Sequence, residues 1–139
     1  MLGAKSLQRL LAVQASYQIS INELSEENSI DSILKTALLQ PGLEELKKKP
    51  NFNYAKKILS GSINNSDKID LMIRESLTSS RKFDKLDKLI QAILRLAIYE
   101  ISFDIKAPKK VITFKYLNIS HIFFSGDESK LVNGILDSI

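Results

Sequence analysis

The chain of 139 residues has no cysteine, and His121 is its single histidine. Disulfides, thiol catalysis, cysteine-ligated zinc, iron–sulfur clusters and His-rich metal sites are thereby excluded. No stretch approaches the roughly 20 apolar residues of a membrane span. The opening MLGAKSLQRLLAVQASYQ is interrupted by Lys5, Gln8 and Arg9, which argues against a signal peptide; a cytoplasmic protein with no membrane partner is expected. The phosphate-cradling GxxxxGK[ST], the dinucleotide GxGxxG, the zincin HExxH and the hydrolase GxSxG are all missing. No enzyme activity, metal or cofactor is therefore expected. His121 has no identifiable orienting acid and reads as a surface or boundary histidine rather than a general base. Asp67 with Asp70, and Asp84 with Asp87, stand at helical spacing beside lysines, and Asp127 with Glu128 suits a helix start. These carboxylates read as first-turn and surface charges. Internal repeats, Gly/Ser linkers and low-complexity tracts are missing too, so residues 1–139 are expected to form a single domain.

What is present is an ordinary soluble balance, 44% hydrophobic and 26% charged. The charge is uneven. Residues 20–45 hold six acids against Lys35, whereas residues 46–115 hold sixteen Lys/Arg against seven Asp/Glu. The basic middle suits a phosphate backbone or an acidic partner, or equally a solvated exterior.

The hydrophobic spacing is helical throughout. Leu7, Leu10, Leu11, Gln14 and Tyr17 mark a helix over about 4–20, with Lys5 and Arg9 on its polar face. Asn28 or Ser29 is placed to cap a second helix, through Ile33, Leu34 and Leu38, that ends before Pro41. A short turn over 42–48 follows, then a helix after Pro50 that ends at Gly61 with a positive φ. Ser66 is placed to cap the next, which Thr78–Ser80 interrupts. The longest and most apolar helix is expected over 83–103, with Leu86, Leu89, Ile90, Ile93, Leu94, Ala97 and Ile101 wrapping more than half its circumference. Pro108 opens a helix over 108–123, although the β-branched and aromatic VITFKYLNISHIFF also suits a strand. Asp127 caps the last helix. The expected fold class is all-α, with six or seven helices. Arg95, inside the most apolar helix, requires a partner, with Glu100, Asp70 or a carbonyl as candidates. Asn133 is suited to bond backbone across a helix junction, and Gly134 to permit close packing.

From Gln14-Ala15-Ser16-Tyr17, through Gly61 and Ile69-Asp70, to ILRLAIYEI at 93–101, Pro108 and LVNGILDSI at 131–139, the chain resembles the NusB family of transcription antitermination factors. The resemblance implies a compact helical bundle in two three-helix-like halves, without catalytic activity. It implies binding of boxA-type single-stranded RNA together with ribosomal protein NusE, and action on the RNA polymerase elongation complex through other Nus factors. Homodimerisation through an exposed apolar stripe is a further expectation. The resemblance points to Lys5, Arg9, Tyr17, Asp127, Lys130 and Leu131 for RNA, to Tyr99 and Glu100 for the partner, and to Gly61, Asp70, Arg95, Asn133 and Gly134 for architecture. The sequence departs from the family pattern at several of these places. The arginine-rich helix start is thinned to Lys5, Ser6, Leu7 and Arg9, and Leu131 stands where phenylalanine is common. Ile90 replaces an acid, Phe114-Lys115 an asparagine-glutamate, and Ser120-His121 an alanine-lysine. Two other readings follow: a protein-interaction module with decayed RNA contact, and the RNA-binding domain of a ribosomal RNA methyltransferase.

Overall fold

A computed structural model describes residues 3–22, 29–48, 51–77 and 82–139. Among these residues there are eight α-helices and no strand: α1 Ala4–Asn22, α2 Ile30–Ala37, α3 Glu44–Lys48, α4 Asn53–Asn64, α5 Ser66–Ser76, α6 Lys88–Ile98, α7 Lys109–Phe123 and α8 Asp127–Asp137. The segment with strand-like composition is thus α7. Ser29 caps α2 by accepting from the Ser32 amide at 3.1 Å. The alternative cap Asn28, Pro50 and the polar break Thr78–Ser80 lie outside the described residues.

The expected long helix over 83–103 is divided into three pieces. Phe83–Lys85 forms a 3-10 turn, and Asp87 then caps α6 by accepting from the Leu89 amide at 2.7 Å. Gln91 ties the pieces together, its buried amide donating to the carbonyls of Phe83 (3.1 Å) and Leu86 (3.0 Å). Beyond Ile98 the chain widens into a π-helical turn, Tyr99–Phe103, closed by the Asp104 amide on the Tyr99 carbonyl at 3.0 Å. The count of eight exceeds six or seven because the short turn expected over 42–48 is itself a helix, α3, whereas the pieces flanking α6 are 3-10 and π-helical.

The bundle also does not divide cleanly into the two three-helix-like halves expected. α1 packs on α2, α4 and α6, while α6 packs on α1, α4, α5, α7 and α8. The helices α2, α4, α5, α7 and α8 each pack on one or both of these two, so a single core runs from Leu11, Ile58 and Leu59 through Ile93 and Leu94 to Tyr116, Ile119 and Leu136. Ile90, which replaces an acid of the family pattern, is 4% exposed and belongs to that core.

Gly61 does not end α4; it lies inside it, without a positive φ. A Cβ built there would fall within the Tyr99 ring, so the glycine is required by the close approach of the π-helical turn. Ser66 is the first residue of α5, not its cap, and Asn65 at the cap position makes no capping bond to it. Gly126 occupies the cap position of α8, leaving Asp127 and Glu128 in the first turn, where carboxylates face the positive end of the helix. Gly134 meets no atom within 4 Å of a built Cβ, so it mediates no close packing. Asn133 is exposed, and among the described residues no hydrogen bond carries it across a junction.

Candidate nucleic-acid interface

The N-terminal half of α1 lies against the start of α4, and one uncharged side chain fixes that contact. Gln8 accepts from the amides of Tyr54 (2.9 Å) and Ala55 (3.0 Å), satisfying two of the donors that the first turn of α4 leaves without helical partners. With Gln8 so placed, Arg9 turns into the molecule. Its Nε donates to Glu100 at 2.8 Å and its Nη2 to the other oxygen at 3.0 Å, a bidentate pair in which Arg9 is 6% and Glu100 2% exposed. Tyr54 and Tyr116 each donate a hydroxyl to the same carboxylate. The two oxygens of Glu100 thus accept four hydrogen bonds from three side chains on three helices.

The electrostatics follow from this burial. Desolvation works against the Arg9 charge, but the hydrogen bond and attraction from Glu100 outweigh it and hold the guanidinium more firmly protonated than usual. Burial first, and then the bond to Glu100, push the Tyr54 hydroxyl up to about 12. Tyr116, fully buried beside the same carboxylate, is raised well above the ordinary tyrosine range.

Arg9 and Glu100 are therefore buried, not on the surface where the roles expected from the sequence would place them. Arg9 is withdrawn from the polar face to balance a buried carboxylate. Glu100 is enclosed and not available to a partner. Tyr99 is half-buried, held against Gly61 and stacked on Phe103 with ring centroids 6.4 Å apart. Lys5, one turn before Arg9, stays exposed, with its ammonium 5.1 Å from the centre of the Tyr54 ring. A cation beside an aromatic at a helix start is present, but the pair is Lys5 with Tyr54 and not with Tyr17. Tyr17 lies twelve positions along α1, about 18 Å in axial rise, half-buried against the core.

On α8, Asp127 and Lys130 are exposed and Leu131 is half-buried against the core. This helix packs chiefly on α6 and α7, where Ser129 and Ser120 share a hydrogen bond of 2.8 Å. Among the described residues no ion pair or hydrogen bond joins Asp127 or Lys130 to Lys5. Arg95 pairs with Asp70 through Nε at 2.9 Å and Nη2 at 3.1 Å, which settles the three candidates in favour of Asp70. His121 is exposed, and its Nδ1 lies 3.3 Å from the Ser129 hydroxyl. No group of three or more His, Asp or Glu able to hold a metal occurs among the described residues.

Sequence reasoning missed three further side chains at this end of the molecule: Lys57, Asp104 and Lys106. Lys57 follows Tyr54 by one turn of α4 and its ammonium lies 3.2 Å from the Asp104 carboxylate. Lys106 lies beside Lys57. The basic balance of residues 46–115 was the available signal, although it does not say which lysines converge.

Residues 6–139 match the model of the NusB family. The chain belongs to the NusB family. Among its relatives, the transcription antitermination protein NusB of Allorhizobium ampelinum is 34% identical over 131 residues, spanning 94% of this chain and 82% of its own. NusB of Tolumonas auensis is also 34% identical, spanning 94% of this chain and 88% of its own. Of solved structures, Thermotoga maritima NusB superposes with a TM-score of 0.79 at 26% identity, covering 99% of this chain and 90% of that one. A crystal structure of antitermination factors NusB and NusE in complex with dsRNA superposes at 0.77 and 20% identity, covering 99% and 96%, a likeness of fold. These relatives are transcription antitermination factors, not enzymes. No helix among the described residues is long and apolar enough to cross a membrane.

Proposed function

We propose that this chain is a cytoplasmic transcription antitermination factor that binds boxA-type single-stranded RNA together with NusE. It joins that RNA to the RNA polymerase elongation complex through other Nus factors. The observation that carries this reading is the nearly full-length match to the NusB family, in a fold shared with a NusB that was crystallised with NusE and dsRNA. The exposed Lys5 over Tyr54 supports it chemically, because single-stranded RNA is held by cations on phosphates beside aromatic faces. Lys130 and Asp127, exposed on the first turn of α8, and Leu131 behind them are the second group of proposed contacts.

Fluorescence anisotropy of a labelled boxA RNA and a scrambled control, titrated with the protein alone and with NusE at two salt concentrations, tests the reading. Binding that prefers boxA and tightens with NusE is expected. Equal, salt-sensitive binding of both RNAs would refute it, since any basic surface attracts phosphate. The withdrawal of Arg9 into the core favours a second reading, a protein-interaction module with reduced RNA contact. Stable NusE binding to which RNA adds nothing would select that one.

A further inference from the structure

Four helical and loop elements meet at the N-terminal end of α1. Gln8 fixes α1 on the start of α4, which sets Lys5 over the Tyr54 ring. Tyr54 and Lys57 lie three positions apart on α4 and so share a face. The π-helical turn carries the chain across Gly61 and delivers Asp104 to Lys57 at 3.2 Å, with Lys106 two residues later. The result is three ammonium groups, on α1, on α4 and behind the π-helical turn, at one end of the molecule, with the Asp104 carboxylate against Lys57. Arg9 contributes nothing outward, because Glu100 holds its guanidinium beneath Tyr54.

We propose that Lys5, Lys57 and Lys106, gathered around Tyr54 and Asp104, form a cradle for the phosphodiesters of single-stranded RNA, replacing the phosphate contact that Arg9 gives up by entering the core. This deepens the RNA-binding reading above and rests on it. Three cations with one anion leave the cluster in excess positive charge, and the Tyr54 ring beneath Lys5 offers an apolar face beside it, the combination that suits a phosphate with its neighbouring base. The adjacent Lys57 ammonium holds Lys106 below the ordinary lysine value even though Asp104 attracts both cations, so the two compete for one carboxylate, which lies 3.2 Å from Lys57. An incoming phosphate oxygen relieves that competition. Asp104 acts as a resident competitor for the phosphate, and this gives the cradle a test in which one substitution strengthens binding.

The experiment measures anisotropy of a labelled single-stranded boxA-type RNA over a series of salt concentrations, with the full chain alone and with NusE. It compares the native protein, Lys106→Gln, Lys57→Gln/Lys106→Gln and Asp104→Asn. The double variant is expected to bind about tenfold more weakly. Its slope of log K against log salt is expected to flatten by roughly 0.7 to 1.4, the contribution of one or two phosphates. Lys106→Gln falls between the two, and Asp104→Asn tightens binding several-fold. Lys106 is solvent-exposed, so Lys106→Gln is read without a folding defect, which circular dichroism melting verifies. Native binding with unchanged slopes in all variants would overturn the cradle and leave the RNA-binding reading standing. No RNA binding by the native chain, alone or with NusE, would overturn both. Loss of binding to polyglutamate in the double variant, with RNA binding intact, would overturn the cradle in favour of an acidic protein surface.

Discussion

Replacing Arg9 with Met preserves much of the side chain's length and apolar volume but leaves the Glu100 carboxylate, 2% exposed, without its cation. Removing one member of a buried ion pair costs about 3–5 kcal/mol, because the remaining charge stays desolvated. The hydroxyls of Tyr54 and Tyr116 still donate to Glu100, which places the expected loss at the lower end, about 3 kcal/mol. For a domain of this size that lowers the melting temperature by about 10 °C. Glu100→Gln, which strands the guanidinium instead, has an effect of similar size. The double variant Arg9→Met/Glu100→Met removes both charges, so it should lose less than the two single changes together, with a coupling of about 2 kcal/mol. Urea unfolding followed by ellipticity gives these values from the midpoints, provided the slopes stay constant. Parallel RNA titrations separate the roles: Lys5→Gln should weaken RNA binding at unchanged stability. Additive losses would refute the reasoning. So would an Arg9→Met protein that melts like the native one yet loses RNA binding, which would return Arg9 to the surface.

Gly61→Ala should lower stability by about 1–3 kcal/mol because its Cβ collides with the Tyr99 ring. Adding Tyr99→Leu should recover part of the loss, and thermal melts that show strictly additive losses would place the clash elsewhere. Asp70→Asn should cost about 1–2 kcal/mol by weakening the half-buried, bidentate bond to Arg95, with RNA affinity unchanged in the anisotropy titration. Stability should also fall in alkali through Tyr54, whose hydroxyl is raised from 10.0 to about 12 by burial and by its bond to Glu100. Between those two values the folded protein keeps a proton that the unfolded chain has released. This contribution is therefore complete below the lower value and is lost as pH rises towards the upper one. Urea midpoints measured across that window should decline less steeply in Tyr54→Phe than in the native protein, and parallel curves would contradict the assignment.

The helices were legible in the sequence because their apolar spacing depends only on near neighbours. Ile33, Leu34 and Ala37, or Ile69 and Ile73, fall on the buried faces that their spacing requires. The division of residues 83–103 is not legible in the sequence, although Asp87 stands there as a helix cap, because uninterrupted apolar periodicity outweighs a single carboxylate. Gly61 was recognised as special for the wrong reason. Its neighbour in space is Tyr99, thirty-eight positions away in sequence, and a close approach between distant segments leaves no local trace.

The site divides along the same line. Arg95 was correctly expected to need an internal partner because it interrupts an apolar stripe, and Asp70 provides one. The same reasoning applied to Glu100, a carboxylate among Ile98, Tyr99 and Ile101, would have demanded a buried cation, and Arg9 beside Leu10 and Leu11 was a cation in an equally apolar setting. A charge on a helix near the terminus invites a surface reading only while its position is judged by its own helix. Once the two desolvation costs are set against each other, each residue supplies the partner that the other lacks, and a pair becomes the expected outcome. Of the two α1 cations the fold then leaves Lys5 exposed, and whether phosphate also reaches the exposed Lys57 and Lys106 turns on the sign of the Asp104→Asn effect. A purely structural Lys57–Asp104 bridge gains nothing from losing its carboxylate, whereas a cradle that Asp104 partly occupies binds RNA more tightly without it.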